Sequence, residues 1–354
     1  MTSRARLLAV STLALASFAI AAPAHAHGGA EEPSKEKAEP GKPGVGDKKE
    51  EGKEKAPFVD VSADVVVGFG KVPALNQALP SSLGIRPASQ IDRSKVTVDS
   101  YQFGAGFRLG ERLRVFGRIP FANASIRPDG VKDSRSALAF GNVEIGAGMT
   151  APEDKPVAFL PKFALALPTS SGQPLPNAEE VARNPSGDYG RAARDEYAAL
   201  LSANGSRGYE DSALYASKRL GLTPSIEVRV HAGKLELVPF AAVAVLVSTA
   251  SHPEKRVAGD VVGGAELAVP AADWLDLALR AFINVPFAKE ERSDAMLAVA
   301  EPQVRFHLGP VKPYVGVLLP FLPAGTHATD VVEGGAPAFD PRMIAIRLGA
   351  SAAF

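Results

Sequence analysis

The side chains that could do chemistry are charged and recur at even spacings: Arg114 with Arg118, Glu227 with Arg229, Asp276 with Arg280, and Glu301 with Arg305. On an extended chain, residues two or four apart share a face, so such sets either line a polar passage or pair with neighbouring strands. In the first case Arg118, Arg280, Arg305 and Arg347 form a positive ladder facing Glu144, Glu227, Glu266 and Glu301, with Lys162 and Arg229 on the same lining. In the second, the same ten residues cross-brace a narrow interior and keep it hydrogen-bonded and largely closed. The structural reading carries the greater weight.

Catalysis finds little to work with. The absence of cysteine removes thiolate nucleophiles, disulfides and zinc–cysteine sites together. A serine hydrolase needs a histidine base oriented by a third polar group. Of the histidines beyond the leader, His231 and His307 fall on expected strands, and neither has a hydrolase-like neighbourhood. The glycines from Gly259 to Gly264 do not join a strand to a helix as a phosphate cradle would. The carboxylate pairs Glu31-Glu32 and Glu50-Glu51 sit in a charged leader. We therefore expect no enzyme, no metal and no cofactor.

The elements that position the charged face come next. With 354 residues and 46% hydrophobic composition the chain can bury a substantial core, and its net charge of zero offers no field for nucleic acid. Arg4 and Arg6, an apolar run from Leu7 to Ala22, and Ala24-His25-Ala26 have the form of an export signal over 1–26 that is cleaved before His27. From 27 to 57 follow eight acidic and seven basic side chains with Val45 as the one β-branched aliphatic, a composition that predicts a disordered linker.

Beyond Phe58 the pattern has period two. Leu275, Leu277, Leu279, Ala281, Ile283, Val285 and Phe287 alternate with a face carrying Asp276, Arg280 and Asn284. One face suits lipid and the other suits water. Similar runs predict strands at 58–69, 96–109, 113–122, 137–150, 156–169, 223–232, 234–249, 258–270, 274–288, 296–308, 311–322 and 340–354. At about 11 to 14 residues, many of these exceed the strands of a soluble sandwich and match the length needed to cross a bilayer at a tilt. The fold class is therefore an all-β antiparallel transmembrane barrel of about twelve strands over 58–354, with short turns at one end and long loops at the other.

Three strands end alike, at Pro120-Phe121, Pro286-Phe287 and Pro320-Phe321. Proline donates no ladder hydrogen bond, so each should mark where its strand leaves the sheet, with the phenylalanines in an aromatic girdle. The segment 170–222 is too long for an ordinary connection. It predicts helices over Ala192–Ala203 and, after Asp211 as N-cap, Ser212–Leu220, although 209–220 could instead be strand. It either folds inward as a plug or lies outside as a lid, and the outer placement is favoured.

The chain ends Ile344, Ile346, Leu348, Ala350, Ala352, Phe354, which resembles the terminal signal read by the bacterial barrel-insertion machinery. Gly141 to Ala147, a short turn and the ending Ala164 to Gly172 resemble outer-membrane barrels of the "MetA-pathway of phenol degradation" family. That resemblance implies an outer-membrane channel or transporter for small, often aromatic or hydrophobic, molecules; it carries over no ligand residues. The partners expected are outer-membrane lipid, the insertion machinery through Phe354, and a small-molecule solute. The alternative is a closed structural or adhesive barrel whose loop 170–222 contacts a partner.

Overall fold

The computed structural model describes residues 59–71, 95–110, 112–127, 134–150, 155–172, 191–249, 256–287, 297–321 and 343–354. The expected signal (1–26) and linker (27–57) lie outside these residues. Thirteen β segments follow one another: β1 Val59–Lys71, β2 Lys95–Leu109, β3 Leu113–Arg127, β4 Arg135–Phe140, β5 Glu144–Met149, β6 Val157–Ala166, β7 Arg219–Ala232, β8 Leu235–Ser248, β9 Val257–Ala272, β10 Leu275–Phe287, β11 Leu297–Phe306, β12 Val311–Phe321 and β13 Ile344–Ala353. Two helices, α1 (Arg191–Ser206) and α2 (Ser212–Tyr215), stand between β6 and β7.

All pairings are antiparallel. β1 pairs with β2 on one side and with β13 on the other, so the sheet closes on itself. β3 pairs with β4 from Phe121↔Phe140 to Ile126↔Arg135 and with β5 from Leu113↔Met149 to Arg118↔Glu144. β4 and β5 are thus two halves of one stave, and the ring is a closed barrel of twelve staves. Tight turns join β7 to β8 and β11 to β12, where Gly233 and Gly309 hold φ of +65° and +63°, a region closed to most side chains. β1 and β13 meet at the same rim, where Val59 and Phe354 exchange backbone hydrogen bonds of 3.1 and 2.8 Å.

Alternation decides which way each side chain points. On β10, Leu277 (50%), Leu279 (50%) and Ile283 (42%) are exposed, while Ala278 (7%), Phe282 (2%) and Asn284 (3%) are enclosed. Outside, Phe121 packs between Phe103 and Phe140, with ring centroids 6.1 and 4.7 Å away, and Trp274 stacks on Phe306 near the short-turn rim.

Several expectations need correction. The strand 137–150 is interrupted at 141–143, and across the interruption the exposed positions change from Leu138 and Phe140 to Ile145 and Met149. A one-residue change of phase keeps the apolar row outward. Pro120 does not end its strand, because β3 continues to Arg127. The imino nitrogen sits opposite the interruption, where no ladder donor is needed, and the Pro120 carbonyl still accepts from Gly141 N at 3.0 Å. Pro286 and Pro320 do stand next to last in β10 and β12. The enclosed face is not uniformly polar either. Toward the long-loop rim it is apolar: Val96 and Val98 on β2, Ala122, Ala124 and Ile126 on β3, and Leu297 and Val299 on β11 are all buried.

Large enclosed side chains lie flat over glycines of the neighbouring staves. Phe116 covers Gly146 and Tyr314 covers Gly349, in each case so closely that an added Cβ would collide with the ring. The axis of the barrel is thereby left free for other occupants. Gly146→Val should force the Phe116 ring off the wall and lower stability by about 1–3 kcal/mol, as overpacking does; guanidinium unfolding in detergent would check it, an unchanged midpoint being the contrary result.

Candidate functional site

The occupant of the barrel is the segment 191–218. Its favoured placement as an outer lid is overturned: α1 packs Ala198, Ala199, Leu200 and Ala203 against Val96, Val98, Ala122, Ala124 and Ala139 of the inner wall. The alanines let the helix approach the sheet closely, while burial of Leu200 and Leu214 contributes about 1.5–3 kcal/mol each. The fully buried Ser202 turns its hydroxyl back to the Ala198 carbonyl at 2.8 Å, which satisfies it within the helix. The second helix is shorter than expected, four residues rather than Ser212–Leu220, and Arg219 already begins β7. Asp211 makes no side-chain cap hydrogen bond to α2, since its carboxylate is engaged by the wall.

Between the helices the chain reverses at Gly208 and Tyr209, with φ of +66° and +60°. At 208 a Cβ would strike Val299 and Phe282. The reversal sends three charged side chains to three parts of the wall. Arg207, 1% exposed, pairs with Asp64 of β1 and donates from Nε to Ser100 Oγ of β2 at 2.9 Å. Glu210 accepts both arms of the Arg280 guanidinium on β10, one at 2.6 Å, and lies 3.6 Å from Arg347 on β13. Asp211 accepts from Gln102 Nε2 of β2 at 2.7 Å and from Arg118 Nη1 of β3 at 3.2 Å. Asn284 adds a hydrogen bond from Nδ2 to the Tyr209 carbonyl at 2.9 Å.

A second anchor is Asn142, fully buried at the interruption between β4 and β5. Its Nδ2 donates to the carbonyls of Ala213, Ala216 and Arg219 at 2.9, 2.7 and 3.1 Å, and its Oδ1 accepts from Ser170 N at 3.1 Å. These carbonyls and the amide would otherwise be stranded away from water.

The ten residues singled out by spacing are distributed as follows. Arg118 grips Glu144 through Nε and Nη2 at 2.8 and 3.0 Å. Arg347 donates to Glu301 at 2.9 Å, and Arg280 stands 3.9 Å from the same carboxylate. Arg305 donates to Glu266 at 2.6 Å. Arg229 pairs at 3.0 Å with Glu236 on the adjoining β8 rather than with Glu227, which has no ion pair among the described residues. Lys162 stands over the Phe116 ring at 5.3 Å from its centroid. His307 lies one residue beyond β11, with Nε2 2.6 Å from Asp276 Oδ2, so a wall carboxylate holds it.

Spacing missed Arg207, Glu210, Asp211, Asn142 and Gln102. The first three carried no signal of their own, since charges between two helical pieces suit an outer lid that faces water as well as a tip that pairs with an inner wall.

Burial opposes ionisation of Glu210, but the Arg280 guanidinium and its hydrogen bonds, then Arg347 and Arg207, outweigh it and hold this carboxyl well below the usual carboxylate range. A depressed folded-state value contributes stability that is complete above the unfolded value and is lost as pH falls through the folded one. Seating of the plug should therefore be unchanged from pH 7 to 5 and weaken only in stronger acid, read as protease protection of 191–218; Glu210→Gln should remove the share of that acid dependence that Glu210 carries. Asn142→Ala should cost about 1–3 kcal/mol by orphaning buried carbonyls, seen as faster hydrogen exchange over 212–219 with little change in the barrel strands.

No protein-family model matches the chain, and no curated protein matches it. Solved structures do. The KdgM porin aligns at a TM-score of 0.40 and 8% identity, covering 83% of this chain and 99% of that one. The translocator domain of the autotransporter NalP from Neisseria meningitidis aligns at 0.44 and 9%, over 85% and 90%. An outer membrane channel from Pseudomonas putida F1 aligns at 0.46 and 10%, over 84% and 96%.

Proposed function

We propose that this chain is an outer-membrane barrel in its closed state, a gated conduit for small molecules whose gate is the segment 191–218. The observation that carries the reading is a closed wall, apolar outside, around a plug held at its tip by ion pairs instead of by covalent or continuous sheet contacts. Exposed rows of Leu, Ile, Val and Phe on every side of a cylinder are costly in water and favourable against acyl chains. A ring has no free sheet edge, which is the condition for strands to cross hydrocarbon. In this reading the short turns and the rim that carries Val59 and Phe354 face the periplasm, the export signal 1–26 is removed, the linker 27–57 precedes the barrel in sequence, and Phe354 is offered to the insertion machinery.

The resemblance over 137–172 extends the proposal to small hydrophobic or aromatic solutes, and the buried apolar side chains toward the long-loop rim suit them. The ten charged residues of the wall then serve mainly as bracing, with Arg118, Arg280 and Arg347 also holding the gate. The alternative, an adhesive barrel that presents 170–222 to a partner, fits less well, because residues 195–218 are largely enclosed.

A plug fixed by ion pairs should be released by removing one. Full-length protein in planar bilayers is expected to be nearly silent, and Arg207→Ala, which takes from Asp64 one of its two arginine partners and leaves it Arg347 and the Tyr314 hydroxyl, should loosen the plug tip and raise the open fraction by about tenfold. A variant as silent as the parent, with heat-modifiable gel mobility intact, would sink the gated-conduit reading.

A further inference from the structure

Arg280 differs from the other paired arginines of the wall. Arg118, Arg305 and Arg347 each close on a wall carboxylate, Glu144, Glu266 and Glu301 respectively. Arg280 gives both arms of its fork to the plug, and its nearest wall carboxylate, Glu301 at 3.9 Å, is already taken by Arg347 at 2.9 Å. The guanidinium is also held on its flanks, 4.6 Å from the Phe240 ring centroid and 5.2 Å from that of Phe282. A two-armed fork steadied by two rings and the second cation of Arg347 converge on one carboxylate, and the plug supplies that carboxylate.

A guanidinium fork of this kind matches a planar carboxylate whether or not that group is tethered to the chain. Withdrawal of the plug removes Glu210 and leaves Arg280, 15% exposed while the plug is seated, with no anion in its fork. The emptied fork then faces the vacated lumen beside a Glu301 carboxylate already held by Arg347, an arrangement that favours a replacement anion. We infer that Arg280 and Arg347, flanked by Phe240 and Phe282, form a binding site for a small carboxylate-bearing solute, and that Glu210 is a tethered stand-in which such a solute displaces as the plug withdraws. The inference rests on the conduit reading for its biological sense, but the site itself does not.

Because the stand-in competes with the solute, weakening it must tighten solute binding. The test is equilibrium dialysis of radiolabelled benzoate against the full-length protein in detergent at constant ionic strength, with benzyl alcohol as the neutral counterpart. Benzoate should bind saturably, Glu210→Gln should lower its dissociation constant by about tenfold or more as competition from the tether is relieved, and Glu210→Gln with Arg280→Gln should bind benzoate no better than benzyl alcohol.

Equal benzoate affinity in the parent and Glu210→Gln would overturn the inference, as would benzoate binding that survives loss of Arg280. If the double variant fails to show heat-modifiable mobility, the comparison of benzoate with benzyl alcohol on Glu210→Gln decides alone, and equal binding of the two overturns the site. Bilayer recordings on the same preparations separate the two readings. Benzoate binding as expected with no conductance in any variant, Arg207→Ala included, supports the site and removes the conduit, whereas conductance in Arg207→Ala without benzoate binding removes the site alone.

Discussion

A charge taken away from water must meet its opposite, and the interior of this barrel is arranged around that requirement. Ion pairs that are fully enclosed gain little net stability over a well-packed apolar contact, yet breaking one is costly. Such pairs therefore specify position more than they add strength. Arg207, Glu210 and Asp211 each find a counter-charge on a different stave, which fixes the plug tip against β1, β3, β10 and β13 at once. The apolar packing of α1 against β2, β3 and β4 holds the rest of the segment by a different force, one that tolerates small shifts. Specific electrostatics at the tip and non-directional packing along the helix divide the work.

The wall solves a second problem, room. A ring of twelve staves whose inward faces carried only large side chains would be filled by them. Here Phe116 and Tyr314 lie across Gly146 and Gly349, so bulky groups occupy the wall's own thickness. The same economy of space places Pro120 where the neighbouring stave is broken and puts Asn142 at that break to receive the plug.

The barrel was legible in the sequence because period-two alternation is a local property that survives without knowledge of neighbours. Leu275 to Phe287 could be assigned to an outer and an inner face from side-chain types alone, and the strand ends came within a few residues. The break at 141–143 was not legible, since Gly-Asn-Val also reads as continuing strand; what interrupts it is the plug's demand on Asn142, a contact more than seventy residues distant in the chain. The inward turn of 191–218 was hidden for a related reason. Its alanine-rich helix and its charged tip each look suited to solvent until the apolar upper wall and the arginines of β3, β10 and β13 are assembled around them. The even spacing of Arg118, Arg280 and Arg347 showed the face they share and not the visitor they hold.

The pairing of β1 with β13 has a bearing on time as well as form. Asp60 stands opposite Ala353, so the seam joins the beginning of the folded unit to its end. A nascent chain has no means of sealing that seam, and until its final segment arrives it exposes two ribbon edges with unmet donors and acceptors. Contacts so remote in sequence form slowly. The interval before closure is thus a period of vulnerability to aggregation, during which an escort that shields edges would have most effect.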